Sequence, residues 1–106
     1  MSSYCQLWLT CKDATEASEI ASKLLGKKLI ACAKQIPTTS DYLWKGKIEN
    51  NSEVLLLMES REDLFGQIEK EVAKLHSYDT FVLITTKMDK VSKKAKAWLS
   101  ETLKTG

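Results

Sequence analysis

Five consecutive apolar residues, Val54-Leu55-Leu56-Leu57-Met58, stand between Glu53 and Glu59 with no polar interruption. Such a run is too short for a helix and lacks the alternation of a half-exposed strand, so it predicts a strand buried on both faces. Phe81-Val82-Leu83-Ile84 repeats the signature. A chain carrying two such segments has to cover both sides of one sheet. Tyr4 to Cys11 alternates instead, with Cys5, Leu7, Leu9 and Cys11 on one side and Tyr4, Gln6, Trp8 and Thr10 on the other, the two-residue period of a strand.

The remaining segments supply helices and edges. Asp13 and Glu16 have the spacing of an N-cap and its capping-box carboxylate, and Ala17, Ile20, Ala21, Leu24 and Leu25 recur at helical spacing before Gly26. Leu29 to Ile36, ended by Pro37, predicts a second strand; Thr38 to Ile48 predicts a third, followed by a polar turn at Glu49-Asn50-Asn51-Ser52. Ser60 reads as the cap of a second helix, with Leu64, Phe65, Ile68, Val72 and Leu75 as its apolar stripe. Val91, Ala95, Trp98, Leu99 and Leu103 stripe a final, lysine-rich helix.

The order condenses to β-α-β-β-α-β followed by a C-terminal helix. That is an α+β, ferredoxin-like arrangement, an antiparallel sheet with both main helices on one face. The opposite face of Val54 to Met58 and of Phe81 to Ile84, with Tyr42 and Trp44 nearby, is then an uncovered apolar patch of a kind soluble monomers rarely expose. Closed self-association removes the patch and the strand edges together, so the pattern predicts a homo-oligomer.

With 106 residues, the chain is expected to form a single domain over 1–106. Lysine and arginine exceed the acids by 16 − 14 = +2, too little for bulk attraction to nucleic acid or an acidic membrane. No basic-glycine-aromatic run of an RNA-stacking strand and no glycine-rich phosphate loop occurs. The N-terminus lacks a signal-peptide pattern, and no apolar run approaches membrane-spanning length. Three cysteines without a C-x-x-C pair fit a reducing compartment. A cytoplasmic protein with no nucleic-acid or membrane partner is expected.

Leu29-Ile30-Ala31-Cys32 leading to Ile36-Pro37, then Ser40-x-Tyr42-x-Trp44-x-Gly46-Lys47-Ile48, Glu53-Val54, Ser60-Arg61 and Leu75-His76-x-Tyr78 follow in an order and spacing that resembles the CutA divalent-cation tolerance family. The resemblance runs from about Thr10 to Trp98. It implies a ferredoxin-like subunit in a stable, cytoplasmic homotrimer similar in shape to the PII signalling proteins. It also implies a role in copper tolerance and metal ion homeostasis, with Cu(II) or another divalent cation as ligand. The chain departs from the family pattern at Lys12 and Ser77, where proline is frequent, and at Phe81-Val82, where Pro-Glu is frequent and would set a carboxylate near the histidine.

His76 is the sole histidine. Read as a ligand it suits Cu(II) or Zn(II) and is paired here with Cys32, the cysteine of the Ala-Cys motif, with completion by another subunit or water. Read as structure it complements the C-terminal dipole of its helix. Cys5 and Cys11 read as core and, about 20 Å apart along one strand, cannot share an ion. Trp44, Lys47 and Tyr78 suit an intersubunit pocket for an anionic ligand, or trimer packing alone. No nucleophile and base stand at recognisable spacing, so no enzyme is expected. The rival function is a PII-like trimer for small-ligand sensing or protein interaction, with no metal role.

Overall fold

The structure, a computed structural model, describes residues 3–105. Strand β1 (Tyr4–Cys11) leads to helix α1 (Ala14–Gly26), strands β2 (Cys32–Trp44) and β3 (Lys47–Arg61), helix α2 (Phe65–Leu75), strand β4 (Leu83–Lys87) and helix α3 (Lys93–Thr102). The strands form one antiparallel sheet in the order β2-β3-β1-β4, the expected ferredoxin-like arrangement.

The alternation of β1 decides which face is the core. Cys5, Leu7, Leu9 and Cys11 are fully buried, and their register partners on β3 include Leu56, Met58 and Ser60. Antiparallel partners share a face, so this side packs against Ile20 and Leu24 of α1, Ile68 and Val72 of α2, and Leu99 of α3. The opposite face carries the rows Ile84–Trp8–Leu57–Lys34, Thr10–Leu55–Ile36 and Thr86–Gln6–Glu59–Cys32. Leu55 and Leu57 are only half-buried and Ile84 is exposed. Val54 to Met58 is therefore covered on one face within the chain, and the other face is the apolar patch anticipated from the sequence.

Three local readings need correction. Pro37 does not end a strand but lies within β2, opposite Val54. β2 is an edge strand, where a residue without an N–H leaves no ladder bond unmade. The turn falls at Lys45-Gly46, not at residues 49–52: both residues have positive φ (50° and 79°), as a two-residue type I′ hairpin requires. Asn50 and Asn51 sit inside β3, where their side chains donate across the ladder to Asp41 and Tyr42. Ser60 caps nothing; β3 runs on to Arg61, and the Ser60 hydroxyl donates to the Leu29 carbonyl. A single 3-10 turn, Glu62–Leu64, leads into α2 without a side-chain cap. The long β2–β3 hairpin projects from the body with Leu43 75% and Ile48 79% exposed.

Candidate metal centre

At the end of β1 the chain turns directly into α1, and Asp13 caps that helix by accepting the Glu16 N–H at 2.9 Å. The cap turns the Glu16 side chain back toward the strand end, where its Oε1 accepts the Lys12 N–H at 2.9 Å. Its Oε2 accepts the Ser77 N–H at 2.7 Å from beyond α2. Burial alone would raise the Glu16 pKa, but these two N–H donors, with His76 nearby, outweigh it and hold the carboxyl below its ordinary range.

His76 is the C-cap residue of α2; its backbone N–H closes on Val72 at 2.8 Å and its φ/ψ turn extended. The side chain therefore leaves its own helix and is completely buried against β1. It does not serve the terminal carbonyls of α2. Nε2 lies 2.9 Å from the Thr10 carbonyl, and Nδ1 accepts the Tyr78 N–H at 3.1 Å. This network assigns the proton to Nε2, which donates to Thr10, and leaves the one lone pair on Nδ1. Phe81 stacks on the ring at 5.3 Å between centroids and Tyr78 tilts against it at 4.9 Å. The Tyr78 hydroxyl donates to Glu53 Oε2 at 2.6 Å, and burial with that carboxylate raises the phenol well above its ordinary pKa.

Cys11 completes the group. One ligand atom from each of Cys11, Glu16 and His76 lies within 4.8 Å of the others, and His76 Nδ1 is 3.8 Å from Glu16 Oε1. Burial, reinforced by the charges of Glu16, Glu53 and Asp13, pushes the Cys11 thiol up to about 12. A thiol so disfavoured as thiolate is the reverse of an activated nucleophile.

The sequence-derived ligand pair is thus not assembled within one chain. Cys32 lies opposite Glu59 on the open face, beside Lys34 Nζ at 3.5 Å. His76 lies by the opposite end of β1, where Cys11 is opposite Val54. Val54 and Glu59 are five positions apart on β3, which places these ends about 16 Å apart along the strand. Cys11, read from sequence as core only, takes the place of Cys32 beside His76. Glu16 reaches in from the helix cap as the carboxylate of this group, while Glu53, on β3, takes the Tyr78 hydroxyl. The one signal for Glu16 was its capping-box position, five residues after Cys11.

Trp44 and Lys47 face each other at the hairpin tip, with Lys45 Nζ 5.9 Å from the Trp44 ring centroid. Tyr78 lies at Glu53, six positions down β3 from Lys47. One chain does not gather these three into a pocket.

The family model for CutA1 divalent ion tolerance protein matches residues 5–102. A divalent-cation tolerance protein CutA from Pyrococcus horikoshii is 34% identical over 98 residues, covering 92% of this chain and 96% of the relative. Its counterpart from Archaeoglobus fulgidus is 33% identical over 97 residues, 92% of this chain and 95% of that one. The solved structure of the periplasmic divalent cation tolerance protein CutA from Archaeoglobus fulgidus superposes with a TM-score of 0.93 at 32% identity, over 95% of this chain and 99% of that one.

Proposed function

This chain belongs to the CutA1 divalent ion tolerance family, and from that premise we propose that it is a homotrimeric divalent-cation-binding protein of metal ion homeostasis. Cu(II) is its first-choice ion, residues 1–106 act as one CutA-like domain, and the role is binding rather than catalysis. The observation that carries this reading is the meeting of sulfur, oxygen and nitrogen donors from Cys11, Glu16 and His76 within 4.8 Å.

The donor chemistry fits. Thiolate and imidazole suit Cu(II) and Zn(II), and ligands of one tetrahedral ion stand roughly 3.3–3.8 Å apart, so closure requires about an ångström of side-chain movement. The Thr10 carbonyl holds Nε2–H and so orients Nδ1 toward the group, as the outer partner of a metal-bound histidine does. For Nδ1 to ligate, the Tyr78 N–H has to give up its bond there, and Cys11 has to release its proton. A bound divalent cation would supply the positive charge that makes the buried thiolate tolerable.

The uncovered sheet face and the apolar hairpin support the trimer. A second or third copy would cover Trp8, Leu55, Leu57 and Ile84, and the hairpin of a neighbour would offer Trp44 and Lys47 a route toward Tyr78. No helix among the described residues is long and apolar enough to cross a membrane. Three free cysteines suit a cytoplasmic setting, whereas the Archaeoglobus fulgidus relative is named periplasmic; cell fractionation decides between them.

The test is calorimetric titration of Cu(II) into the reduced protein beside His76→Ala and Cys11→Ser. One ion per chain, lost in both variants, is the expected result. Binding that survives both substitutions unchanged would overturn the assignment. Light scattering tests the assembly, and a mass of one chain would remove the trimer.

A further inference from the structure

Between α2 and β4 the chain passes over the Cys11–Glu16–His76 group on its solvent side: Ser77, Asp79 and Thr80 are exposed, while the His76 side chain beneath them is completely buried. Among the described residues, 77–80 make no backbone-to-backbone hydrogen bond. What fixes the segment is its contact with side chains. Ser77 N–H donates to Glu16 Oε2 at 2.7 Å, Tyr78 N–H to His76 Nδ1 at 3.1 Å, and the Tyr78 hydroxyl to Glu53 Oε2 at 2.6 Å. A stretch held by so few bonds opens locally at a lower free energy than the sheet beside it.

These ties are not equivalent toward a cation. A carboxylate has about four acceptor positions, so Glu16 can keep the Lys12 and Ser77 N–H groups and still turn a lone pair to an ion. A neutral imidazole has one. With Nε2–H given to Thr10, that lone pair is on Nδ1, where Tyr78 N–H sits. Tyr78 is therefore the residue that has to leave before His76 can ligate. The same residue is fastened at its other end, because its hydroxyl makes a charge-assisted bond to Glu53, which is 7% exposed. Movement that withdraws the N–H from Nδ1 works against the bond of the hydroxyl.

We propose that Tyr78 is a latch that regulates access to the cation site: its N–H plugs His76 Nδ1, its hydroxyl bond to Glu53 holds the plug in place, and binding requires residues 77–80 to swing aside. The proposal rests on the reading of Cys11, Glu16 and His76 as that site. Tyr78 itself touches no ion. It lowers the affinity of the native protein by stabilising the shut arrangement, since only the open fraction binds.

The experiment titrates Zn(II), which has no redox chemistry and leaves the thiols reduced, into the intact protein, Tyr78→Phe and His76→Ala by calorimetry. Hydrogen exchange of the parent is followed with and without Zn(II). Tyr78→Phe keeps the N–H and the ring but loses the hydroxyl's bond, so it should bind Zn(II) about tenfold more tightly. A residue that merely supports the fold would give weaker binding when altered. In the parent, Zn(II) should speed exchange of the Tyr78 amide and leave the amides of β1 and β3 protected. If the parent binds Zn(II) through His76 but Tyr78→Phe binds no more tightly, or the Tyr78 amide exchanges unchanged, the latch is overturned and the cation site stands. If the parent binds no Zn(II), or binds it regardless of His76→Ala, the cation site is overturned and the latch with it. The exchange measurement needs only the parent, so it decides the question even where Tyr78→Phe does not fold.

Discussion

Glu16 is the residue on which the metal centre's framework depends, and replacing it by glutamine tests that claim directly. Its carboxylate is 5% exposed and takes the backbone N–H groups of Lys12 and Ser77, one on each oxygen. Glutamine keeps one acceptor oxygen and sets an NH2 group against the other donor, so one charge-assisted bond is lost and one buried N–H is left facing a donor. With hydrogen bonds to charged groups contributing about 1.5–3 kcal/mol each, Glu16→Gln should cost about 2–3 kcal/mol at neutral pH. Because the folded-state pKa of Glu16 is depressed, its contribution is fully present above about pH 5 and is lost as pH falls through the lowered value. The gap between parent and variant should therefore narrow in acid. Urea denaturation at equal chain concentration, repeated across that pH range, reads both effects. A variant within about 0.5 kcal/mol of the parent at neutral pH, or a gap that stays constant into strong acid, would refute the reasoning.

Other expectations follow from single contacts. Tyr78→Phe leaves buried Glu53 without its phenol donor and should destabilise by about 1–3 kcal/mol, again by urea denaturation. Lys45→Asn replaces a lysine held at φ 50° by a residue that tolerates the left-handed region, and a gain of roughly 0.5 kcal/mol is expected in the thermal midpoint comparison. Burial, with nearby carboxylates, raises Cys5 to about 11 and Cys11 to about 12; a disulfide reagent at mild pH should modify no more than Cys32 in the native chain and all three thiols after unfolding. Leu57→Asp puts a charge in the centre of the open sheet face, so it should lower the mass seen by light scattering while leaving the far-UV spectrum of the subunit intact.

Much of the fold was legible because it rests on local periodicity. The alternation of Cys5, Leu7, Leu9 and Cys11 marked β1 and its buried side, and the stripe through Ile20 and Leu24 marked α1 with its Asp13 cap. The apolar surplus on β3 and β4 marked an uncovered face, where Leu55 and Leu57 are half-buried and Ile84 exposed. Local signals failed where a distant partner decided the outcome. Pro37 ends a strand only if the strand is interior, and its edge position is a property of the sheet. Asn50 and Asn51 look like turn residues until Asp41 and Tyr42 stand opposite them. The Ser60 hydroxyl was committed to Leu29, thirty-one positions earlier in the chain.

The sequence by itself determined the donor types available, a lone imidazole, three thiols and a set of carboxylates, together with the elements that carry them. It placed Cys11 on the inward side of β1 and His76 at the end of a helix, each with a sufficient structural explanation. Only the tertiary structure decided that these two meet, because the end of β1, the first turn of α1 and the exit of α2 converge on one corner of the sheet. The contact between His76 and Thr10 spans sixty-six positions, a separation over which no periodic pattern carries information. It arises from strand register and helix packing, which set distances in space that spacing along the chain does not encode.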